Sequence, residues 1–488
     1  MRLPEKHESS TTIVSGVSAS SKTENYIAPD GFDPGAEIIV HWNEPEDCDP
    51  ENPMNWSPLA KWTHVLTISV ISFLVPVVSA MLAPAVPLVM KEFHTGSETF
   101  ETFVVSIELY GRMIVYNVTN VLFLAATILS GFSRNEGMLL FFRFLSGFTG
   151  VATITIGSGT IADLMPREKR GKAVSIWSVG TILGPTIGPI VGGAVTEADG
   201  WRWVFWAVSI VIAAVTIFTF LVLRETYAPV LLEWKAAKLR KETGNPNHRS
   251  SLAPDYTPRE LFRRSIVRPM KLLFCCPLVT VLCTYVAILY GTLYLLFATY
   301  SFVFTQVYYF STFTDGLVFL PGGIGTLMGA YYIGTLSDRI VRGSIADGQT
   351  NTPEDRLALV ITVPGALTFP IGMFLYGWSV ERGVHWIVPQ IGTAVTGFGS
   401  ILIFTGVQTY LIDAFEGFAA SAVGANAVLR GLAGAFLPLS GLELYNHLGW
   451  GWGNSLLGFL ALVCAPIPWV LGMHGAKIRS LPCNRVSL

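Results

Sequence analysis

Charged residues are scarce in this chain, since Asp, Glu, Lys and Arg make up only 14% of its 488 residues. A soluble protein of this size carries roughly a quarter of such residues. Hydrophobic residues make up 51%, and the mean hydropathy is +0.51. This balance excludes an ordinary soluble globular protein and predicts an all-α polytopic membrane protein. The net charge of −2 indicates no basic surface for nucleic acid, so no nucleic-acid partner is expected.

Sequence motifs for catalysis and for metal binding are absent from the chain. No HExxH, no nucleophile elbow and no P-loop occurs, which argues against most enzymes and against an ATP-driven pump. The six cysteines show no metal-ligand spacing. We therefore expect no catalytic residue, no metal and no cofactor.

Long apolar runs divide the chain into predicted membrane spans, each of about 20 residues or more. Five runs precede a long polar segment and six follow it, at 62–90, 113–132, 139–164, 172–195, 201–223, 273–303, 314–336, 355–379, 384–411, 418–442 and 453–474. We accordingly predict five regions: a disordered cytosolic tail over 1–60, a helical half over 61–223, a cytosolic central loop over 224–271, a six-helix half over 272–475 and a cytosolic tail over 476–488.

Basic residues gather in alternate loops between these spans, and the positive-inside rule places such loops in the cytosol. The alternation fits twelve spans with both termini in the cytosol, and it does not fit eleven. The apolar run 103–107 is too short to cross a membrane, so a second span is missing between Ile107 and Glu108. Either the span has been deleted, or an intron has been wrongly assigned in the gene.

The stretch 180–193, which reads GTILGPTIGPIVGG, combines glycines at every fourth position with two prolines that bend a helix. Glycines at this spacing share one face of a helix, and another helix can approach that face closely. The face serves either helix packing alone or a surface on which two halves of a bundle rock. The residues of this stretch are Gly180, Gly184, Pro185, Gly188, Pro189, Gly192 and Gly193.

The stretch resembles the antiporter motif in the fifth helix of proton-coupled drug exporters of the major facilitator superfamily. ELYGR at 108–112 is similar to the superfamily motif between spans two and three, and GTLSDR at 334–339 lies at the equivalent place in the second half. The resemblance, to the fungal twelve-span drug:proton antiporters, covers about residues 52–480 apart from the missing span. It implies two six-helix halves and a monomer in the plasma membrane. The protein would export drugs, toxins or secondary metabolites in exchange for protons.

Arg143 and Arg430 lie within predicted spans, where an unpaired charge is costly and therefore a functional candidate. The resemblance gives Arg143 a part in proton coupling, whereas an arginine near the interface can instead extend toward water. Arg430 follows Asn426 by four residues, so both share a helix face. They form a polar cluster that binds substrate or balances an acid, or Arg430 is tied to helix-end carbonyl groups.

Three further charged residues are candidates for coupling. Arg112 and Asp338 belong to the two loop motifs, where the alternative is a charge cluster that only orients the chain. Proton exchange also needs a group that binds and releases a proton, and Glu443 is the carboxylate to test. The alternative for Glu443 is an ordinary carboxylate at the membrane interface.

Aromatic and amide side chains in the second half predict a wide apolar substrate cavity with a few hydrogen-bonding groups. Such a cavity suits amphipathic organic molecules, although aromatic residues at helical spacing also serve as core packing. The predicted lining is Tyr285, Tyr290, Tyr294, Phe297, Gln390, Gln408 and Asn426.

Two other functions are compatible with the sequence. The same fold can import a nutrient or a polyamine, and accumulation of substrate in cells would distinguish import from export. Alternatively, the missing span leaves a sensor or an inactive product that transports nothing.

Overall fold

The computed structural model describes residues 38–43, 45–85, 112–252, 258–346, 353–415 and 418–480. The segment in which the sequence predicts a missing span lies between two of these ranges and thus outside the described residues. Ten stretches of the described residues are long and apolar enough to cross a membrane, and the last, Ser421–Gly475, runs over three successive α-helices. Each of the eleven predicted runs therefore has a helical counterpart.

The N-terminal half consists of five long helices: α1 (Pro58–Ala80), α2 (Arg112–Gly131), α3 (Glu136–Leu164), α4 (Arg167–Asp199) and α5 (Trp201–Val222). A short 3₁₀ helix, Ala83–Ala85, follows α1. Asn135 accepts a hydrogen bond from the backbone N–H of Met138 and so begins α3 as an N-cap. The buried apolar residues of this half form two clusters around α1, which lies against α3, α4 and α5.

The C-terminal half contains α8 (Pro277–Gln306), α9 (Thr312–Leu317), α10 (Leu320–Ala346), α11 (Leu359–Glu381), α12 (Ile387–Ala414), α13 (Ala419–Phe436), α14 (Gly441–Cys464) and α15 (Pro466–Arg479). The 3₁₀ helices Pro353–Leu357 and Leu437–Ser440 join some of them. One large core of buried residues runs through α8, α11, α12, α13 and α14. Each half thus has its own core.

Large apolar side chains cover the outer surface of the bundle. Leu221 on α5 is 80% exposed, and Val463 on α14 is 75% exposed. A soluble protein would bury such residues, whereas lipid solvates them as well as a protein core does. The outer surface therefore fits a bilayer.

The central segment is not a plain loop, because it contains α6 (Ala228–Thr243), strand β2 (His248–Ser250) and α7 (Pro258–Cys275). Strand β1 (Ile38–Val40) of the N-terminal tail pairs with β2 in parallel, with Ile38 opposite His248. The prediction of disorder over 1–60 is therefore wrong for the described part of the tail, 38–43 and 45–60.

Asp49 explains why this part of the tail is ordered. Its buried carboxylate accepts hydrogen bonds from the backbone N–H groups of Asn43 at 2.7 Å and Glu51 at 2.9 Å. The ammonium of Lys235 on α6 lies 3.4 Å away and also donates to the His41 carbonyl group at 3.1 Å. The tail that was predicted to be disordered thus itself supplies the group that fastens it to the central segment.

Candidate functional site

The glycine face of α4 packs against α1 within the same half. A Cβ atom on Gly184 would lie 2.6 Å from Cβ of Pro76, and one on Gly188 would lie 2.7 Å from the Val77 carbonyl oxygen. A Cβ atom on Gly180 would lie 3.3 Å from Cβ of Phe73, and Gly192 meets the backbone of Met81 more closely still. Real Cβ atoms essentially never come as close as they would at Gly184, Gly188 and Gly192, so the two helices touch backbone to backbone. The prediction that the halves rock on the Gly184/Gly188 face is therefore wrong.

The contact between the halves uses a neighbouring face of α4. A Cβ atom on Gly193 would lie 2.5 Å from the carbonyl oxygen of Thr312 on α9. Gly316 of α9 meets the Pro189 carbonyl group in the same manner. Glu197 completes the contact, because its Oε2 accepts a hydrogen bond from the Phe313 backbone N–H at 2.7 Å. We call this surface the distal contact, since it lies at the end of α1 and α4 opposite the tail and central segment.

Arg143 of α3 binds the distal end of α1. Its Nη1 donates to the Val78 carbonyl oxygen at 2.7 Å, and its Nη2 donates to the Ser79 carbonyl oxygen at 2.9 Å. The last carbonyl groups of a helix lack partners within the helix and carry partial negative charge, so a cation stabilises them. The guanidinium also lies 5.9 Å from the ring of Phe205. The geometry thus gives Arg143 a helix-capping contact.

Arg430 lies among aromatic rings in the middle of the C-terminal half. Its guanidinium carbon is 4.5 Å from the ring centroid of Tyr290 on α8 and 5.0 Å from that of Phe404 on α12. Tyr290 is roughly 20 Å along α8 from either helix end, at 1.5 Å per residue. Within the described residues, Arg430 forms no ion pair and its Nε has no hydrogen-bond partner. A partly exposed cation is therefore held near mid-membrane by cation–π contacts alone among the described groups.

Aromatic side chains continue from this arginine along α8. The rings of Tyr290 and Tyr294 lie 4.7 Å apart, and Phe297 follows at 6.0 Å from Tyr294. Gly434 on α13 makes room for the pair, because a Cβ atom there would lie 3.3 Å from Tyr290. Tyr294 is 36% exposed, so part of this surface is open.

An amide pair completes the site, one helical turn from Arg430 on α13 and from Phe404 on α12. Asn426 of α13 donates to Gln408 Oε1 of α12 at 2.8 Å, while its own Oδ1 lacks a partner among the described groups. We define the central aromatic site as Tyr290, Tyr294, Phe297, Phe404, Gln408, Asn426 and Arg430. Five of the predicted lining residues and Arg430 therefore come together, and Phe404 is an addition that the sequence did not single out.

Two predicted lining residues lie elsewhere. Tyr285 is 1% exposed and packs inside the C-terminal core. Gln390 is also buried, and it lies 18 residues before Gln408 on the same helix, or roughly 27 Å away. Their assignment to the cavity was wrong, because hydrophobic identity and helix membership do not fix which face or which depth a side chain occupies.

The remaining charged candidates are not part of the central aromatic site as the structure describes it. Glu443 is exposed in the first turn of α14. Arg112 begins α2 and Asp338 lies within α10, but their side chains fall outside the described part of the structure. Beside the first motif lies Glu225, a buried carboxylate that the sequence did not single out; it accepts a hydrogen bond from the Met113 backbone N–H at 3.1 Å. Glu225 therefore caps the N-terminus of α2.

Comparison with known proteins shows the family. The model of the Major Facilitator Superfamily matches residues 68–438. The chain belongs to the major facilitator superfamily. Its members are transporters, so the expectation of a helical membrane protein that is not an enzyme is confirmed.

Curated relatives of this superfamily member come from fungi. It is 42% identical to efflux pump radE of Floropilus chiversii over 99% of this chain and 92% of the relative. It is 44% identical to MFS-type transporter penM of Penicillium rubens, over 92% of this chain and 91% of the relative. The alignment with radE spans 502 positions, more than the 488 residues of this chain. That relative therefore has residues where this chain has none.

Solved structures of the superfamily share the fold. A bacterial homologue of the human lysosomal transporter Spinster, in an inward-facing and occupied conformation, matches with a TM-score of 0.60 at 13% identity. The match covers 88% of this chain and all of that one. The unoccupied inward-facing form gives a TM-score of 0.57.

Proposed function

We propose that this protein exports amphipathic aromatic molecules that carry an acidic group, in exchange for protons, by alternating access. Its fungal relatives are named as an efflux pump and as transporters, which supports export of small organic compounds. A member of a secondary-transporter fold binds substrate near the membrane midplane between its halves. The central aromatic site lies at that depth.

Arg430 is the observation that carries the choice of substrate. An arginine near mid-membrane is costly unless it is paired or hydrated, and no acid among the described residues pairs with it. The flanking rings of Tyr290 and Phe404 hold the guanidinium but supply no negative charge. An aromatic substrate that carries a carboxylate, sulfonate or phenolate would fit this site. Its rings would stack on the aromatic side chains, and its anionic group would pair with Arg430.

The distal contact supports alternating access. The halves meet there through glycine and backbone atoms, with a single described side-chain hydrogen bond from Phe313 to Glu197. Such a contact has few long side chains to reorganise when it separates. With the distal side closed, the central aromatic site would be reached from the opposite side, and opening the contact would release substrate distally.

Transport by reconstituted protein tests the proposal. The purified full chain in acid-loaded liposomes should accumulate naphthalenesulfonate several-fold over protein-free liposomes. Arg430→Met should lose most of this uptake, because it removes the cation but keeps an apolar side chain of similar length. Arg382→Met is the matched control, since Arg382 stacks on Trp378 at 5.8 Å in an exposed position away from the site. It should transport normally.

Naphthalenesulfonamide has the same rings without the charge. Comparing its uptake with that of naphthalenesulfonate therefore separates recognition of the acidic group from transport of the aromatic rings. Equal uptake of the sulfonate by wild type and Arg430→Met would overturn the role of Arg430. Uptake that does not depend on the pH gradient would overturn proton exchange. If neither compound is transported under any gradient, the transport function itself fails for this chain.

A further inference from the structure

Asp315 on α9 is a buried carboxylate that the transport site does not use. It is 0% exposed, and neither of its oxygens has a hydrogen-bond partner among the described groups. The hydroxyl of Ser301 on α8 lies close enough to interact with the carboxyl group, although not with the geometry of a full hydrogen bond. No Lys, Arg or His of the described residues forms an ion pair with it. An ionised carboxylate buried in this way is strongly disfavoured, so the neutral acid fits the closed arrangement.

The position of Asp315 links it to the distal contact. Its neighbour Gly316 packs on the backbone of Pro189 in the other half, and Phe313, two residues earlier, donates to Glu197. The short helix α9 is therefore held between the two halves. Separation of the halves would remove α4 and the 3₁₀ helix Ala83–Ala85 from α9 and admit water to its surroundings.

The titratable side chains around the Asp315 carboxyl group do not offset its negative charge. Tyr376 on α11 interacts with the carboxyl group, and the titratable neighbours of Tyr376 are also tyrosines: Tyr300, Tyr308 and Tyr445. The end of α4 that packs on α9 carries the acids Glu197 and Asp199. Ala83–Ala85 carries no titratable side chain. Tyrosine is neutral near pH 7, so these described neighbours supply acids and no cation.

We propose that the distal contact closes only when Asp315 has taken up a proton, and that the carboxyl group releases this proton when the contact opens. The step is the binding of one H⁺ to one carboxylate oxygen, and no other bond changes. This inference rests on the proposed alternating access and names the residue that makes distal closure depend on pH. Asp315 is buried, whereas Glu443, the carboxylate that the sequence suggested for proton exchange, is exposed.

A distance measurement across the distal contact tests the proposal without substrate. Spin labels at Ala198→Cys on α4 and His385→Cys between α11 and α12, both exposed positions, report separation of the halves in the purified full chain with its native cysteines replaced. In the protein with Asp315 intact, the population with a long distance should grow from pH 5 to pH 8. A single proton changes the ratio of open to closed forms by at most about tenfold per pH unit. Asp315→Asn should keep the short distance at both pH values.

Glu197→Gln is the matched variant, because it removes the other carboxyl at the contact but keeps an acceptor oxygen. In Glu197→Gln the population with a long distance should grow from pH 5 to pH 8, as it does in the protein without this substitution. Loss of that dependence in Glu197→Gln, with retention in Asp315→Asn, would overturn the proposal, as would distances that do not change with pH in the intact protein. Asp315→Ser provides a second uncharged variant should Asp315→Asn not fold. Because this test needs no transport, its result is independent of the export assay.

Discussion

Gly193 of α4 and Thr312 of α9 meet across the two halves, with space for no more than a hydrogen atom on Gly193. A Cβ atom there would lie 2.5 Å from the Thr312 carbonyl oxygen. This contact closes the distal end of the bundle, so it is the place where a small change in side-chain volume should act on conformation.

Gly193→Val should leave insertion and folding intact but prevent distal closure. The added side chain points at α9 of the other half and away from the α1 packing face. We expect the long distance between the spin labels at positions 198 and 385 to dominate at every pH, and export to be lost. Gly137→Ala, at an exposed position where a Cβ atom meets only Asn135 Oδ1 at 3.8 Å, should behave as wild type. A Gly193→Val protein that closes normally would contradict the assigned contact.

Gly188→Val should act on stability instead. The new side chain would collide with the Val77 backbone of α1 inside the N-terminal half. Overpacking of this kind costs about 1–3 kcal/mol. We expect a lower unfolding temperature in detergent and less folded protein, with a smaller effect for Gly188→Ala. A stable Gly188→Val protein that is locked in one conformation would instead restore the prediction that the halves rock on this face.

Arg143→Met should weaken the attachment of α3 to α1. Hydrogen bonds to charged groups contribute about 1.5–3 kcal/mol, and the arginine donates to two carbonyl groups at the end of α1. Thermal unfolding should show a clear loss of stability, and Arg143→Lys, which keeps the charge and one donor direction, should recover part of it. Unchanged stability together with lost proton dependence of transport would favour the coupling role that the superfamily resemblance implies.

Asp49→Asn should release the N-terminal tail from the central segment. Burial raises the pKa of Asp49, but hydrogen bonds from the Asn43 and Glu51 N–H groups and the Lys235 ammonium together hold this pKa below its ordinary value of 3.8. The docking is therefore fully stabilised above pH 3.8 and is lost as the pH falls through the lowered pKa.

Hydrogen exchange of the backbone amides of residues 43 and 51 checks this. At pH 7 the protection should fall roughly tenfold or more in Asp49→Asn, since about 1.4 kcal/mol corresponds to a factor of ten. Glu51→Gln, which changes an exposed neighbouring carboxyl group, is the control. Equal protection in Asp49→Asn and wild type would show that β1–β2 pairing alone holds the tail.

The spans and the membrane environment followed from the sequence because they depend on composition over about 20 residues. A run such as 201–223 must be helical in lipid, since every backbone polar group needs an internal partner. The four-residue spacing of Gly180, Gly184, Gly188 and Gly192 likewise required a close helix neighbour, and α1 is that neighbour.

The sequence alone determined a helical, multi-span member of a transporter superfamily and most residues of the central aromatic site. Only the tertiary structure decided which neighbour each face meets. Periodicity gives the direction of a side chain around its own helix, but the partner depends on how distant helices pack. For that reason Gly188 faces its own half while Gly193 faces the other, Tyr285 is core while Tyr290 contacts Arg430, and Asp315, at the start of the predicted span 314–336, is a buried acid.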